Sequence, residues 1–335
     1  MRTLIKRLVE CAGPSGFESE IRQLIREEVD AYADEIQVDT LGNLIVRKGK
    51  KSQQGSRIMV AAHMDEIGIM GSHIDKNGFV RFTNIGGLFW VYLLGSRVQF
   101  LNGIKGVIES EKRESRTTVP SMEKMYIDVG ATSRENCPIK VGDVGVFDRS
   151  YIDLGDRLVS KAMDDRIGVA ILIDTLKKLK KTLNEIYFVF SSQEEVGTRG
   201  ATTSAYSLDP DIGLSVDVTM TGDTPKGITM EVSLGKGPAI KVRDSGMISD
   251  PRLVDAMIKI ATEHKIPYQL EVLDGGTTDA RAIQLSRAGI PSSCISIPSR
   301  YVHSPSEMVD INDVQNAVKL LHACVSNQIN LKPHE

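Results

Sequence analysis

Several features are missing from this 335-residue chain, and each absence excludes something. The four cysteines, Cys11, Cys137, Cys294 and Cys324, show no Cys-x-x-Cys spacing. That argues against a thiolate zinc site or a disulfide framework and suits a reducing cytoplasm. There is no basic tract to follow a phosphate backbone: the formal net charge is −3, with acids and bases interspersed, so nucleic acid is not an expected partner. The longest apolar stretch, Leu88 to Leu94, is far too short to span a bilayer. Met1 to Cys11 has the pattern of an amphipathic helix and lacks the unbroken apolar core of a signal peptide. Neither a membrane nor export is therefore expected. Internal repeats and low-complexity segments are absent. So are His-Glu-x-x-His, Gly-x-Ser-x-Gly and the P-loop, which removes support for zincin, serine-elbow and phosphate-cradle chemistry.

What remains is an ordinary globular composition, 41% hydrophobic and 25% charged, with enough length for one large domain or two unequal ones. Helical spacing marks Leu4, Ile5, Leu8 and Val9, then Ile21, Leu24, Ile25 and Val29 in a helix from about Glu18 to Tyr32. Ile36–Val38 and Leu44–Val46 have the pattern of a hairpin around Leu41-Gly42-Asn43, and Arg57 to Ala62 that of a buried strand. From about Gly71 to Leu154 the texture changes. Short runs such as Val98–Phe100, Gly106–Ile108, Met125–Val129 and Asp143–Phe147 alternate with glycine-rich and charged turns, which predicts a small all-β barrel or sandwich. Alternation of strands and helices resumes at Leu158. A long helix carries Val169, Leu172, Ile173, Leu176 and Leu179 inward, and strands follow at Ile186–Phe190, Ile212–Val216, Tyr268–Val272 and Ser293–Ile297. The expected fold is α/β: a mixed, mostly parallel sheet flanked by helices. It is expected over residues 1–70 and 155–335, with residues 71–154 inserted as the barrel domain.

Potential metal ligands gather at or just beyond the predicted strand ends. His63 and Asp65 follow one strand, Glu194 and Glu195 a second, Asp217 a third and His303 a fourth, while Asp164 opens the long helix. A single histidine is more often a satisfied core residue, a single aspartate is commonly a helix cap, and Glu194-Glu195 alone would be a solvated acidic turn. The joint pattern points elsewhere, because ligands bind beyond the carboxyl ends of strands in open α/β sheets. Two histidines with three carboxylates suit a pair of borderline divalent ions such as zinc, cobalt or manganese. A pair of ions needs one bridging carboxylate, and hydrolysis needs another that is not a ligand and moves a proton. On extended backbone Glu194 and Glu195 point to opposite sides, so one is expected to be a ligand and the other the base.

These residues resemble the tetrahedral (TET-type) aminopeptidase family, dinuclear metallopeptidases of the cytoplasm that include glutamyl and deblocking aminopeptidases. The resemblance lies in Ala61–Gly68, Lys161–Arg166, Gln193–Gly197, Asp217, Ile266–Gln269, Gly275–Ala280 and Arg300–Pro305, in family order along nearly the whole chain. It implies that Asp164 bridges two metals, with His63 and Asp217 completing one site and Glu195 and His303 the other. It further implies that Glu194 is the general base and acid for attack by a bridging hydroxide, and that Asp65 holds the His63 imidazole in its ligating tautomer. A cis Asp164–Asp165 peptide is implied as well, as is a substrate pocket lined by Gly275, Gly276, Thr277, Thr278 and Asp279. The family's fold is of the dinuclear metallopeptidase type, its inserted β domain mediates dimerisation, and its dimers assemble into hollow dodecamers. Zinc or cobalt is the expected metal, with manganese also admitted. Short peptides, trimmed from the N-terminus, are the expected substrates.

The charged segment Glu109–Ser115 departs from the Gly-x-x-Pro-x-His-like stretch common in the family, and bears on assembly rather than on chemistry. Three rival functions share parts of the pattern. A dipeptidase, carboxypeptidase or deacylase would use the same metal site. An endoglucanase-type glycoside hydrolase needs only two carboxylates and leaves both histidines and Asp217 without work. A metal-binding or scaffold protein would have no turnover. The preferred N-terminal residue is not legible: Arg243, Arg281 and Arg300 are the cations that could meet an acidic side chain, and surface arginines are common.

Overall fold

The computed structural model describes residues 1–112, 117–329 and 331. Helices α1 (Arg2–Glu10) and α2 (Ser19–Val29) lead into strands β1 (Glu35–Val38), β2 (Leu44–Lys48) and β3 (Arg57–His63). Six strands follow: β4 (Gly68–Ile74), β5 (Val80–Ile85), β6 (Arg97–Phe100), β7 (Lys105–Ser110), β8 (Met125–Asp128) and β9 (Val144–Phe147). The chain continues through β10 (Ile152–Leu154), β11 (Arg157–Ser160), α3 (Met163–Lys178), β12 (Glu185–Ser191), α4 (Arg199–Leu208) and β13 (Ile212–Thr219). It ends with β14 (Ala239–Arg243), α5 (Pro251–Glu263), β15 (Gln269–Val272), α6 (Asp279–Gln284), β16 (Ser292–Arg300), β17 (Glu307–Asp310) and α7 (Ile311–Ser326).

The large sheet runs β1-β2-β12-β3-β13-β16-β17-β11-β10, with β14 and β15 attached at β16. Its four central strands, β12, β3, β13 and β16, are parallel, and the flanks are antiparallel. Both faces are covered, so the central strands are buried along nearly their whole length rather than on alternate residues. On β3, Ile58, Val60 and Ala62 join the core under α3 and α7, while Met59 and Ala61 pack with Ala201, Ala205 and Ile283 of α4 and α6 on the other face. Parallel register aligns the strand ends. Ser191 pairs with His63, and Ala61 with Ser215, so His63, Asp217 and the chain after Ser191 leave the sheet at one edge.

Strands β4 to β9 close into a separate antiparallel barrel, in the order β4-β5-β8-β7-β6-β9. It has its own core of Ile69, Val80, Phe82, Val98, Phe100, Ile108 and Ile127. Residues alternate on β7, where Gly106, Ile108 and Ser110 are buried and Lys105 and Val107 exposed, as a small filled barrel requires. Glu109 and Ser110 belong to this strand, so the charged segment begins in the barrel wall. Arg113, Glu114 and Ser115 lie outside the described residues. Among the described residues no helix is long and apolar enough to cross a membrane.

A buried polar cluster joins the end of β3 to the start of α3. Glu66 accepts from Lys161 Nζ at 2.7 and 2.9 Å, from Arg166 Nη2 at 3.4 Å and from the Gly13 backbone at 3.1 Å. Arg166, wholly buried, also donates to the carbonyls of Leu8 (2.5 Å) and Cys11 (2.9 Å) at the end of α1. Removing the one acid from such a cluster strands two buried cations, which costs about 3–5 kcal/mol. Glu66→Ala is expected to lower stability by that amount. Urea unfolding should show a reduced midpoint at unchanged slope, and a midpoint like that of the unaltered protein would refute the role.

Candidate metal centre

The residues expected to be ligands converge at the carboxyl edge of the parallel strands. His63 ends β3. Asp217 lies inside β13, opposite Ser296, because that strand runs to Thr219 rather than stopping at Val216. Asp164 follows β11 through Ala162, whose φ of 54° is left-handed, and the Asp164–Asp165 peptide is cis. Asp165 caps the regular part of α3 by accepting from the Gly168 N–H at 3.0 Å, leaving the Asp164 carboxylate free of that task. His303 sits in the loop between β16 and β17 with a φ of 59°. Non-glycine residues in this region carry strain that persists where surrounding contacts over-determine it.

Asp164 faces two ways. Its Oδ1 is 3.0 Å from His63 Nε2, and its Oδ2 is 3.4 Å from His303 Nε2. Two ligand trios result, His63–Asp164–Asp217 and Asp164–Glu195–His303, with the donor atoms of each within 4.8 Å of one another. Glu194 belongs to neither trio; its Oε2 lies 3.9 Å from His63 Nε2. Glu194 and Glu195 are not on extended backbone. Gln193 is left-handed, with φ 56°, and the two glutamates occupy a turn in which the N–H groups of Gly197 and Thr198 return to Glu194 O at 2.8 Å. The turn, rather than strand alternation, separates them.

Asp65, expected to orient the His63 imidazole, does something broader. Its carboxylate stands 3.6 Å from His63 Nδ1, while its backbone oxygen lies at 3.1 Å. The carboxylate accepts instead from the backbone N–H of Glu194 (3.0 Å), that of Glu195 (3.2 Å) and Ser15 Oγ (2.6 Å). Glu307, which the sequence pattern did not single out, plays the matching part opposite. Its Oε1 accepts from His303 N at 2.8 Å and its Oε2 from Asp164 N at 3.0 Å, and it is 1% exposed. Its only signal in the sequence was an acid four residues beyond His303, at the head of the unrecognised strand β17. Asn43, also unrecognised, fixes the start of the glutamate turn by accepting from Ser192 N at 2.8 Å.

The electrostatics fit divalent cations. Burial, then the charges of Asp164 and Asp279, hold the Asp217 carboxyl well above its usual range. Burial lifts Glu195 to about 7 despite His303. Glu194 is raised well above its ordinary value by burial, with Asp217, Asp279 and Glu195 adding to the effect. Both imidazoles respond in kind. Burial opposes their charge, yet Asp164 and Asp65 hold His63 well above its ordinary value, and Glu195 and Asp164 bring His303 to about 10. Acids crowded this way in a low-dielectric space lack compensating charge, and nitrogen and carboxylate donors are those that zinc, cobalt and manganese accept.

The trios open into a cavity of about 370 Å³. Gly275, Gly276, Thr277 and Thr278 line it. Asp279 does not: it is the first residue of α6, buried beneath the loop and accepting from Ser191 Oγ. The loop is also a helix start, since Thr278 accepts from Ala280 N. Gly87 and Phe89, just beyond β5, reach the same cavity, which the sequence pattern did not anticipate for the inserted segment. A Cβ on Gly86 would stand 2.9 Å from Glu195 Oε2, and one on Gly87 2.7 Å from His303 Nδ1. Of the three arginines considered for an acidic substrate, Arg300 is engaged by Asp223 through two contacts of 2.7 and 3.0 Å, and Arg243 lies 3.4 Å from Asp274. Arg281 alone of the three lines the cavity.

Comparison with known proteins places this geometry. The family model described as M42 glutamyl aminopeptidase matches residues 42–320. A protein of Acetivibrio thermocellus, provisionally named an aminopeptidase, is 50% identical over 96% of this chain and 97% of its own length. The lysyl aminopeptidase of Pyrococcus furiosus is 35% identical over 98% of this chain and 97% of its own. Among solved structures, an aminopeptidase from the archaeon Desulfurococcus kamchatkensis superposes with a TM-score of 0.93 at 42% identity, covering 97% of this chain and 94% of that one. The TET1 peptidase of Pyrococcus horikoshii, described as assembling into a tetrahedron or a large octahedral shell, superposes with a TM-score of 0.87 at 33% identity, covering 97% and 98%.

Partners that orient ligands typically govern metal affinity by 10–100-fold. Glu307→Ala is accordingly expected to weaken metal binding by about 10–100-fold while leaving the far-ultraviolet circular dichroism unchanged, as read by metal titration; unchanged affinity would refute it. Asp223 supplies a pH test. Burial opposes its charge, but the Arg300 contact holds it at about 2 against an ordinary 3.8. A depressed carboxyl stabilises above its unfolded value and loses that contribution as pH falls. Asp223→Asn should therefore cost about 1 kcal/mol at neutral pH after solvent screening. Urea midpoints should show the difference closing between pH 3.8 and about 2.

Proposed function

The chain belongs to the M42 glutamyl aminopeptidase family, peptide-bond hydrolases, and we propose that it releases N-terminal residues from short peptides at two divalent ions. The observation that carries this is the shared aspartate: Asp164 turns one oxygen to each trio. His63 and Asp217 would hold one ion with it, Glu195 and His303 the other. When bound, the ions supply Lewis acidity, polarising the scissile carbonyl and lowering the pKa of a water to near neutrality. Zinc or cobalt suits the donors, and manganese is admitted.

Glu194 is the proton carrier in this mechanism. It borders the trios without joining them, and its burial favours the protonated form that must be donated later. It takes one proton of the attacking water and returns it to the departing nitrogen; the water's second proton ends on the amine as well, so that cleavage leaves a carboxylate and an ammonium with no net proton change. Asp65 fixes where that carboxylate starts, by holding the backbone of both glutamates. Phe89, whose ring centroid is 6.4 Å from that of His303, and Thr277 and Thr278 line the cavity and would shape it around the scissile bond.

Self-association belongs to the same proposal. Val107 and Val141 stand exposed in the inserted segment, as does the run Phe89–Tyr92, which supports pairing through it. The shells formed by the P. horikoshii relative support assembly beyond a dimer. Four unpaired cysteines agree with a reducing compartment such as the cytoplasm.

Chelation is expected to abolish turnover of aminoacyl chromogenic substrates, and zinc or cobalt to restore it. Glu194→Gln should retain metal by elemental analysis while kcat falls by about 10²–10⁴-fold; near-normal kcat would sink the assigned role. Product analysis on free, N-acetylated and C-amidated peptides separates the readings of the site. Release of the first residue from free peptides only is the expected result, and release of the last residue would favour a carboxypeptidase.

A further inference from the structure

The catalytic cavity adjoins a second one. Gly197, Thr198 and Arg281 line both, and the second, of about 530 Å³, runs between α4 and α6. The two halves differ in charge. The first is dominated by Asp164, Glu194, Glu195 and Asp217, whereas the second has Arg281 and Arg287 on its wall and no acidic side chain. Arg287 is committed to the wall itself. It donates to Tyr206 O from Nε and Nη2 at 2.9 and 2.5 Å, with its guanidinium 3.7 Å from the Tyr206 ring centroid.

Arg281 is not committed. Its guanidinium has no hydrogen-bond or ion-pair partner among the described residues, and the residue is exposed at the junction. Its stem lies against Gly246, where a Cβ would come within 2.5 Å of Arg281 Cδ, so the absence of a side chain there makes room for it. The other cation on the catalytic half, Lys241, is already neutralised, with Nζ 2.5 Å from Glu271 Oε1 and 3.6 Å from Asp244 Oδ2. Arg281 is thus the one strongly basic lining group left to receive an anion.

We infer that the groove between α4 and α6 holds the departing part of the substrate, and that Arg281 receives its terminal carboxylate there. A short free peptide is positive at one end and negative at the other. A cavity acidic at one end and basic at the other accepts it in one direction, amine toward the carboxylates and carboxylate toward Arg281. The inference rests on the aminopeptidase function proposed above and adds its substrate class: short peptides with a free C-terminus.

The test compares a tripeptide acid with its C-terminal amide, both beginning with the residue that the best aminoacyl anilide identifies. Release of that first residue is the readout. A charge-assisted hydrogen bond at a partly exposed site corresponds to about a 10-fold change. The unaltered enzyme is expected to show a KM about 10-fold lower for the acid, with the ratio shrinking as salt is raised. In Arg281→Gln the ratio should fall to about one, and Arg281→Lys should keep most of it. An amide carrying glutamate at its third position that regains a low, Arg281-dependent KM would assign the same carboxylate recognition to a side chain as well. Equal KM values for acid and amide in the unaltered enzyme would overturn the inference, as would a ratio unchanged in Arg281→Gln. Turnover of the anilide in that case would leave the aminopeptidase function standing; its absence, with no residue released from any peptide, would overturn both.

Discussion

Two buried carboxylates that belong to neither ligand trio hold the site together. Asp65 takes the backbone N–H groups of Glu194 and Glu195, and Glu307 takes those of Asp164 and His303. Three segments distant in sequence are thereby fixed through their main chain rather than through the side chains that do chemistry. Hydrogen bonds from N–H groups to a buried carboxylate are stronger than neutral ones and costly to leave unmade. They leave the functional oxygens and imidazole nitrogens free to face inward. Left-handed backbone at Gln193 and His303 is tolerable in this setting because each residue is adjacent to, or part of, such a grip.

The same arrangement sets the electrostatic character of the molecule. Acids are concentrated at the carboxyl edge of a parallel sheet, where strand register brings them level. The basic residues nearest to them are used up in pairs, Lys241 with Glu271 and Arg300 with Asp223. What remains is a buried negative space with two imidazoles, stable only with cations or bound protons. Its one basic edge is Arg281, at the border with the neighbouring groove between α4 and α6, so the two adjoining cavities are unlike in charge.

Much of this was legible in the sequence, for identifiable reasons. The central strands were visible because burial on both faces leaves unbroken apolar runs, as in Ile186–Phe190. The ligands were visible because residues at strand ends cannot hide in the apolar pattern. Other elements were not. Helix α4, Arg-Gly-Ala-Thr-Thr-Ser-Ala-Tyr-Ser-Leu, buries mainly alanine and serine and is poor in strong helix formers. Strands β4 and β5 carry glycine, histidine and asparagine and were absorbed into the inserted segment's turns. Strand β17 is short and begins and ends in buried acids, Glu307 and Asp310. Glu307 was missed for a related reason: its partners are backbone N–H groups, and a carboxylate that serves the main chain has no partner of complementary type to betray it.

The glycine pair after β5 has a consequence for how such a protein can change. Gly86 and Gly87 press the rim of the barrel against Glu195 and His303 with less than a methyl group of clearance. The insertion is therefore not a free passenger that can be exchanged for another of equal length and matching ends. A donor barrel with any side chain at those two positions would push directly on two residues of the catalytic edge. Variation in the barrel's outer surface, where partners are chosen, is free to run far ahead of variation in this one inward-facing corner, which must drift in step with the sheet it touches.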